Sequence, residues 1–105
     1  MTRFISIPTE IEAIQFTGHA SNVSDILAWA NLGSPEGEAN VIDNRYAGMH
    51  FLTIWTSEGV MNANIGDWII RGTEGEYYPC KPEVFAKKYR PIDGQKEETP
   101  QEKTG

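Results

Sequence analysis

The chain has little to build a soft metal site from: one cysteine, Cys80, and two histidines, His19 and His50. A lone cysteine excludes an internal disulfide and a cysteine-rich zinc site, so a metal centre would have to lean on carboxylates. His19 in a turn and His50 on a strand lack the spacing and flanking acids of a metal motif, and neither is expected to be a ligand. Long apolar runs are missing too, since none approaches the roughly 20 residues that cross a bilayer as a helix. The opening Met1-Thr2-Arg3-Phe4-Ile5-Ser6-Ile7-Pro8 is broken by Pro8 and Glu10 before it reaches signal-peptide length. The expectation is a cytoplasmic protein with no membrane association. Positive charge is scarce: 9 Lys and Arg stand against 15 Asp and Glu, a net charge of −6. Sequence-independent binding to duplex DNA is therefore not expected, because it depends on neutralising phosphates. The glycines are spaced as turns, without a phosphate loop or dinucleotide fingerprint, and no cofactor is expected.

What is present suits one small globular domain. The chain has 105 residues, 39% hydrophobic and 23% charged, enough for a single core. That domain is expected to occupy residues 1–92. From Asp93 to Gly105 there is no large apolar residue, so the segment cannot offset the entropy of ordering and is expected to be a disordered polar tail.

Along the domain, Ile11–Phe16 reads as a strand, with Ile14 and Phe16 alternating onto one face. Phe4–Ile7 leads into it, bent at Pro8. A helix is predicted over 21–31, capped by Ser21 or Asn22, with Asp25 near its positive end. Val23, Ile26, Leu27 and Ala30 fall at i, i+3, i+4 and i+7, one buried stripe. Gly33 stops the helix. Ser34–Asn40 reads as a polar loop, Val41-Ile42 as a short strand, and Asn44–Gly48 as a second loop. Met49–Thr56 is the clearest strand. His50, Leu52, Ile54 and Thr56 point one way and Phe51, Thr53 and Trp55 the other, so it is expected to be central or to meet a partner. Ser57-Glu58-Gly59 turns into a returning Val60–Ala63.

The densest block follows. Gly66 frees the backbone for a turn that Asp67 can hold, and Trp68–Arg71 runs as a strand. Thr73-Glu74-Gly75 turns the chain into Glu76–Pro79. Pro82 opens a short helix over 82–89, and Arg90-Pro91-Ile92 ends it or adds an edge strand. The fold class implied is α+β: a small, strongly bent antiparallel sheet or half-barrel of about five strands, with one helix in the N-terminal half and a short C-terminal one.

Gly66, Asp67, Trp68, Ile69 and Gly72, then Gly75, Glu76, Tyr77, Tyr78, Pro79 and Cys80, then Pro82, Phe85 and Tyr89 form an ordered pattern. In it the chain resembles a family of small, mostly uncharacterised bacteriophage and prophage proteins. Their C-terminal halves read Gly-Asp-Trp-Ile-x-x-Gly, Gly-Glu-Phe/Tyr-Tyr-Pro-Cys, and Pro-x-x-Phe with a closing Tyr. Ile11–Gly18 is similar to that family's N-terminal Ile-Glu-Ala-x-Gln-Phe/Trp-x-Gly strand. Ile65–Trp68 bears a looser similarity to Pro-Gly-Asp-Tyr-Gly-type proteins, whose Pro and Tyr it lacks. The resemblance implies a phage or prophage origin and carries over no catalytic residue.

Trp68, Tyr77, Tyr78, Phe85 and Tyr89 read first as core aromatics. The functional alternative is an aromatic platform of Trp68, Tyr77 and Tyr78 edged by Arg71, Lys81, Lys87, Lys88 and Arg90. Such a cluster in an acidic protein suits a small anion, a stacked nucleotide base or an acidic partner surface. Cys80 reads as a structural thiol, although its place before a helix start could lower its pKa. Asp67 and Glu76 read as turn and surface residues rather than paired acids. The expected function is a non-enzymatic phage accessory protein that binds a host protein or a small nucleotide-like ligand, to blunt a host defence or redirect a host enzyme. Structural or assembly work in the phage particle is the alternative, and a hydrolase resting on Cys80, Asp67 and Glu76 a third. The two-sided apolar strand Phe51–Trp55 suits a homodimer.

Overall fold

The structure, a computed structural model, describes residues 1–5, 8–35 and 37–92. The chain runs β1 (Glu12–Gln15), α1 (Ala20–Asn31), β2 (Val41–Tyr46), β3 (Met49–Thr56) and β4 (Gly59–Asn64). It continues as β5 (Trp68–Arg71), β6 (Tyr77–Cys80) and α2 (Pro82–Lys88). The fold is α+β, as the sequence implies. The strands, however, do not form one bent sheet. They divide into two antiparallel three-stranded sheets, β1-β5-β6 and β2-β3-β4, that do not close into a barrel.

The division happens at Asn64–Asp67. The Asp67 amide donates to the Asn64 carbonyl (2.9 Å), and the Asn64 amide donates to Asp67 Oδ2 (2.9 Å). Gly66 supplies the left-handed φ of +104° that the turn needs. The chain is thereby turned out of the second sheet and into the first. There β5 meets β1, with Ile14 opposite Ile69 and Gln15 opposite Trp68. Phe16 extends the pairing, donating to Asp67 and accepting from Gly66.

Helix α1 forms where the apolar stripe predicts. Val23, Ile26 and Ala30 are buried, and Leu27 packs against them in part. Its start differs from expectation: His19 is the N-cap and makes no side-chain capping bond. Asn22 lies inside the first turn and reaches back to β1, accepting from the Thr17 amide (2.7 Å) and donating to the Gln15 carbonyl (2.8 Å). Local competition from the end of β1 wins over capping. Asp25 lies beyond the first turn, which contains no acid. At the other end Gly33 adopts φ +79°, the expected stop. Asn31 clamps the helix to β2: its Oδ1 accepts from the amides of Asn40 (2.7 Å) and Val41 (3.1 Å), and its Nδ2 donates to the Val41 carbonyl (2.9 Å).

Strand β2 continues to Tyr46, four residues beyond the expected Val41-Ile42. A two-residue turn closes it onto β3, with Ala47 at φ 54° and Gly48 at φ 80°. Positive φ at both central residues is what a right-twisted hairpin requires. Strand β3 is central, as expected, with β2 and β4 on either side.

One core lies between the sheets and α1, around Phe16, Ile26, Val41, Leu52, Ile54 and Ile69, all fully buried. Each such side chain contributes about 1.5–3 kcal/mol relative to exposure. Residues 90–92 add no strand, and Phe4 and Ile5 are exposed and outside any strand. Ser6, Ile7 and the expected tail, 93–105, lie outside the described residues. No helix among the described residues is long and apolar enough to cross a membrane.

Candidate functional site

The first sheet sorts its side chains by alternation. Cross-strand partners share a face, so the pair Trp68 and Cys80 lies with the pair Ile70 and Tyr78. The opposite face carries Ile69 with Pro79 and Arg71 with Tyr77. This separates the residues proposed from the sequence. Trp68 and Tyr78 lie on the α2 side, where Phe85 and Tyr89 meet them. Lys87 and Lys88 sit on α2 itself with Arg90 just past it, and Lys81, the N-cap of α2, reaches Asp67 instead. Arg71 and Tyr77 do not join them.

Tyr77 is buried toward α1. Its ring meets Trp29 edge-on at 5.3 Å, and its hydroxyl donates to the Trp29 carbonyl at 3.5 Å. Arg71 pairs with Glu12 at 3.4 Å, and Glu12 also accepts from Trp29 Nε1 at 3.2 Å. This pair lines a broad open groove with Gly72, Thr73 and Ile92. An exposed pair of this kind is worth no more than about 1 kcal/mol.

On the α2 side the aromatics stack on one another. Trp68 and Phe85 lie 4.0 Å apart and 5° from parallel, and Phe85 meets Tyr89 at 5.0 Å. Pro82 sits in the first turn of α2, and Tyr89 closes the helix by donating its amide to the Phe85 carbonyl. No residue of α2 is fully buried. The helix is therefore held by half-buried rings rather than by an apolar stripe of its own. Beneath it Tyr78 has its pKa pushed up to about 12, chiefly by burial and then by the hydrogen bond to Tyr89.

Burial likewise raises the Cys80 thiol, against the lowering pull of Lys88. The helix start does not make this cysteine an activated thiolate. Asp67 is 4% exposed. Its Oδ2 holds the Asn64 amide and lies 3.5 Å from Lys81 Nζ. Glu76 accepts from the Glu74 amide at 2.9 Å, within its turn. Lys87 and Lys88 occupy the last turn of α2, with Arg90 beyond it. All three are exposed and make no ion pair with a described residue.

Two features escape a reading by sequence alone. His50 Nε2 and Asp43 Oδ1 lie 2.6 Å apart, and the Phe16 and His50 rings meet at right angles with centroids 5.2 Å apart. Had β2 been extended past Ile42, Asp43 would have fallen diagonally beside His50. The pair lies near a shallow cavity at the β2–β3 tip that His50 lines with Arg45 and Tyr46. The other feature is the uncharged outer face of the second sheet. Among the described residues no group of three His, Cys, Asp or Glu is placed to hold a metal ion.

Two sheets, one helix bridging them and one lying on a face of the first sheet define a small α+β domain. Compared with known proteins, the chain matches no family model, no curated protein and no solved structure.

Proposed function

We propose that this chain is a non-enzymatic accessory protein of a bacteriophage or prophage, acting in the host bacterial cytoplasm by binding a host protein through α2. The observation that carries this reading is the exposed trio Lys87, Lys88 and Arg90, unpaired among the described residues of a chain with net charge −6. Lysines in a last helical turn complement the negative end of the helix. Arg90 lies past the C-cap residue Tyr89 and has no such role. Together they make a basic edge suited to an acidic partner surface.

A protein surface fits this edge better than a nucleotide-like ligand. The Trp68 ring that a base would stack on is covered on one face by Phe85. Arg71 and Tyr77, which would complete a binding platform, face the other side of the sheet. The likeness of Gly66–Tyr89 to phage proteins supports the setting, in which such a contact would redirect a host enzyme or blunt a host defence.

The test is a pull-down from host lysate at low and high salt, alongside the triple variant Lys87→Glu, Lys88→Glu, Arg90→Glu. An acidic host protein is expected with the native chain, lost in the variant and weakened by salt. Capture that is indifferent to the triple variant would remove α2 from the reading. A thermal shift with a nucleotide mixture would move the assignment to a small ligand.

A further inference from the structure

The second sheet has a buried face and a face turned outward. Val41, Leu52, Ile54 and Ala63 share the buried one. By the same register the outer face carries Ile42, Tyr46, Met49, Phe51, Trp55 and Val60. Tyr46 is 76% exposed, Val60 59%, Met49 57% and Trp55 47%. Scaling the roughly 150–250 Å² of a large side chain by these exposures gives an apolar patch on the order of 500 Å².

The patch is neutral throughout. Its remaining positions are Asn44, Thr53, Asn62 and Asn64, so no charge falls on it although 23% of the chain is charged. Its polar centre is satisfied in part: Asn44 Nδ2 donates to Thr53 Oγ1 (2.6 Å), which donates to Asn62 Oδ1 (3.1 Å). Covering the face breaks neither of those bonds, and the remaining asparagine amide groups are left to pair across the contact.

The geometry points to a second copy of this chain as the occupant, packed face to face across this sheet. Two chains of net charge −6 repel each other, and a neutral face is where that repulsion is least. The pattern also matches itself. Both ends are apolar, Tyr46 and Met49 at one and Trp55 and Val60 at the other, with the hydrogen-bonded polar groups between. A two-fold axis lying across the strands near Thr53 sets each end on the opposite end of the other copy. Two patches of this size bury on the order of 1,000 Å² in total, the threshold for a specific interface. This contact uses a different surface from α2 and stands without the host-protein reading.

Sedimentation equilibrium on the full chain tests it without any host component. Twice the chain mass is expected, and Trp55→Glu should weaken dimerisation by at least about tenfold while its melting curve shows the fold retained. Tyr46→Glu, at the other end of the patch, should weaken dimerisation likewise. Deletion of residues 1–7, where Phe4 and Ile5 are exposed, should leave it unchanged. A monomer at concentrations up to on the order of 100 µM overturns the inference. So does a dimer indifferent to Trp55→Glu or to Tyr46→Glu, or one lost on the deletion.

Discussion

Trp68 on β5 and Phe85 on α2 are stacked with their ring centroids 4.0 Å apart and their planes 5° from parallel. The contact joins the two halves of the C-terminal motif and is the main hold of α2 on the sheet, because no residue of that helix is fully buried. Phe85→Ala is expected to cost about 2 kcal/mol, below the loss at a fully buried phenylalanine. Hydrogen exchange should show the α2 amides losing protection while β3 keeps its own. Equal loss in both would mean that α2 is integral to the main core.

Asp67 makes a sharper case. Its buried carboxylate satisfies the Asn64 amide in the turn that joins the two sheets. Asp67→Ala strands that donor and should cost about 1–3 kcal/mol in urea unfolding. Lys81→Ala removes only a half-exposed partner at 3.5 Å and should cost less than about 1 kcal/mol. Similar losses in the two variants would assign the effect to the ion pair instead.

The raised pKa of Tyr78 sets a limit at high pH. Burial, together with the hydrogen bond to Tyr89, favours the neutral phenol in the folded state and pushes its pKa up to about 12. The folded chain then holds its proton where the unfolded chain, with an ordinary value near 10, releases it. Stability from this group is complete below about pH 10 and is lost as pH rises toward 12. Melting temperatures measured from pH 9 to 11.5 should fall more steeply for the native chain than for Tyr78→Phe. Parallel curves would show that Tyr78 is not the group responsible.

Cys80 should behave as a reluctant nucleophile. Its thiol is raised by burial and drawn down by Lys88, so alkylation at pH 7.5 should be slower than for a free thiol and accelerate only at higher pH. Lys88→Ala removes the lowering charge and should slow the reaction further. A rate equal to or above that of free cysteine would contradict the burial seen here.

Much of the architecture is legible in local pattern. The 3.6-residue stripe of α1, the alternation of β3, the Gly66-Asp67 turn and Pro82 at the start of α2 are each specified by neighbours in sequence. Even the division of the candidate site follows from alternation. Arg71 is three positions from Trp68, and Tyr77 one from Tyr78, and odd separations in a strand put side chains on opposite faces. Partnerships between distant strands are not written this way. Nothing in Ile14 names Ile69 rather than a neighbour of β3, so the sheet divides in two where a single bent one was expected. The extension of β2 past Ile42 was hidden for another reason. Its hairpin turn uses Ala47, a residue that rarely takes positive φ, in place of the usual Asn or Asp.

The pairing of β1 with β5 also dictates an order of events. Strands β2, β3 and β4 follow one another through two short turns, and each finds its neighbour soon after it is made. Strand β1 is synthesised first yet has no partner until Trp68–Arg71 emerges. Closing so long a loop is slower than forming a hairpin. During translation the N-terminal strand therefore waits, while the middle sheet is the first part of the chain able to fold. Pulse-labelling on refolding should accordingly protect the β3–β4 amides before those of β1.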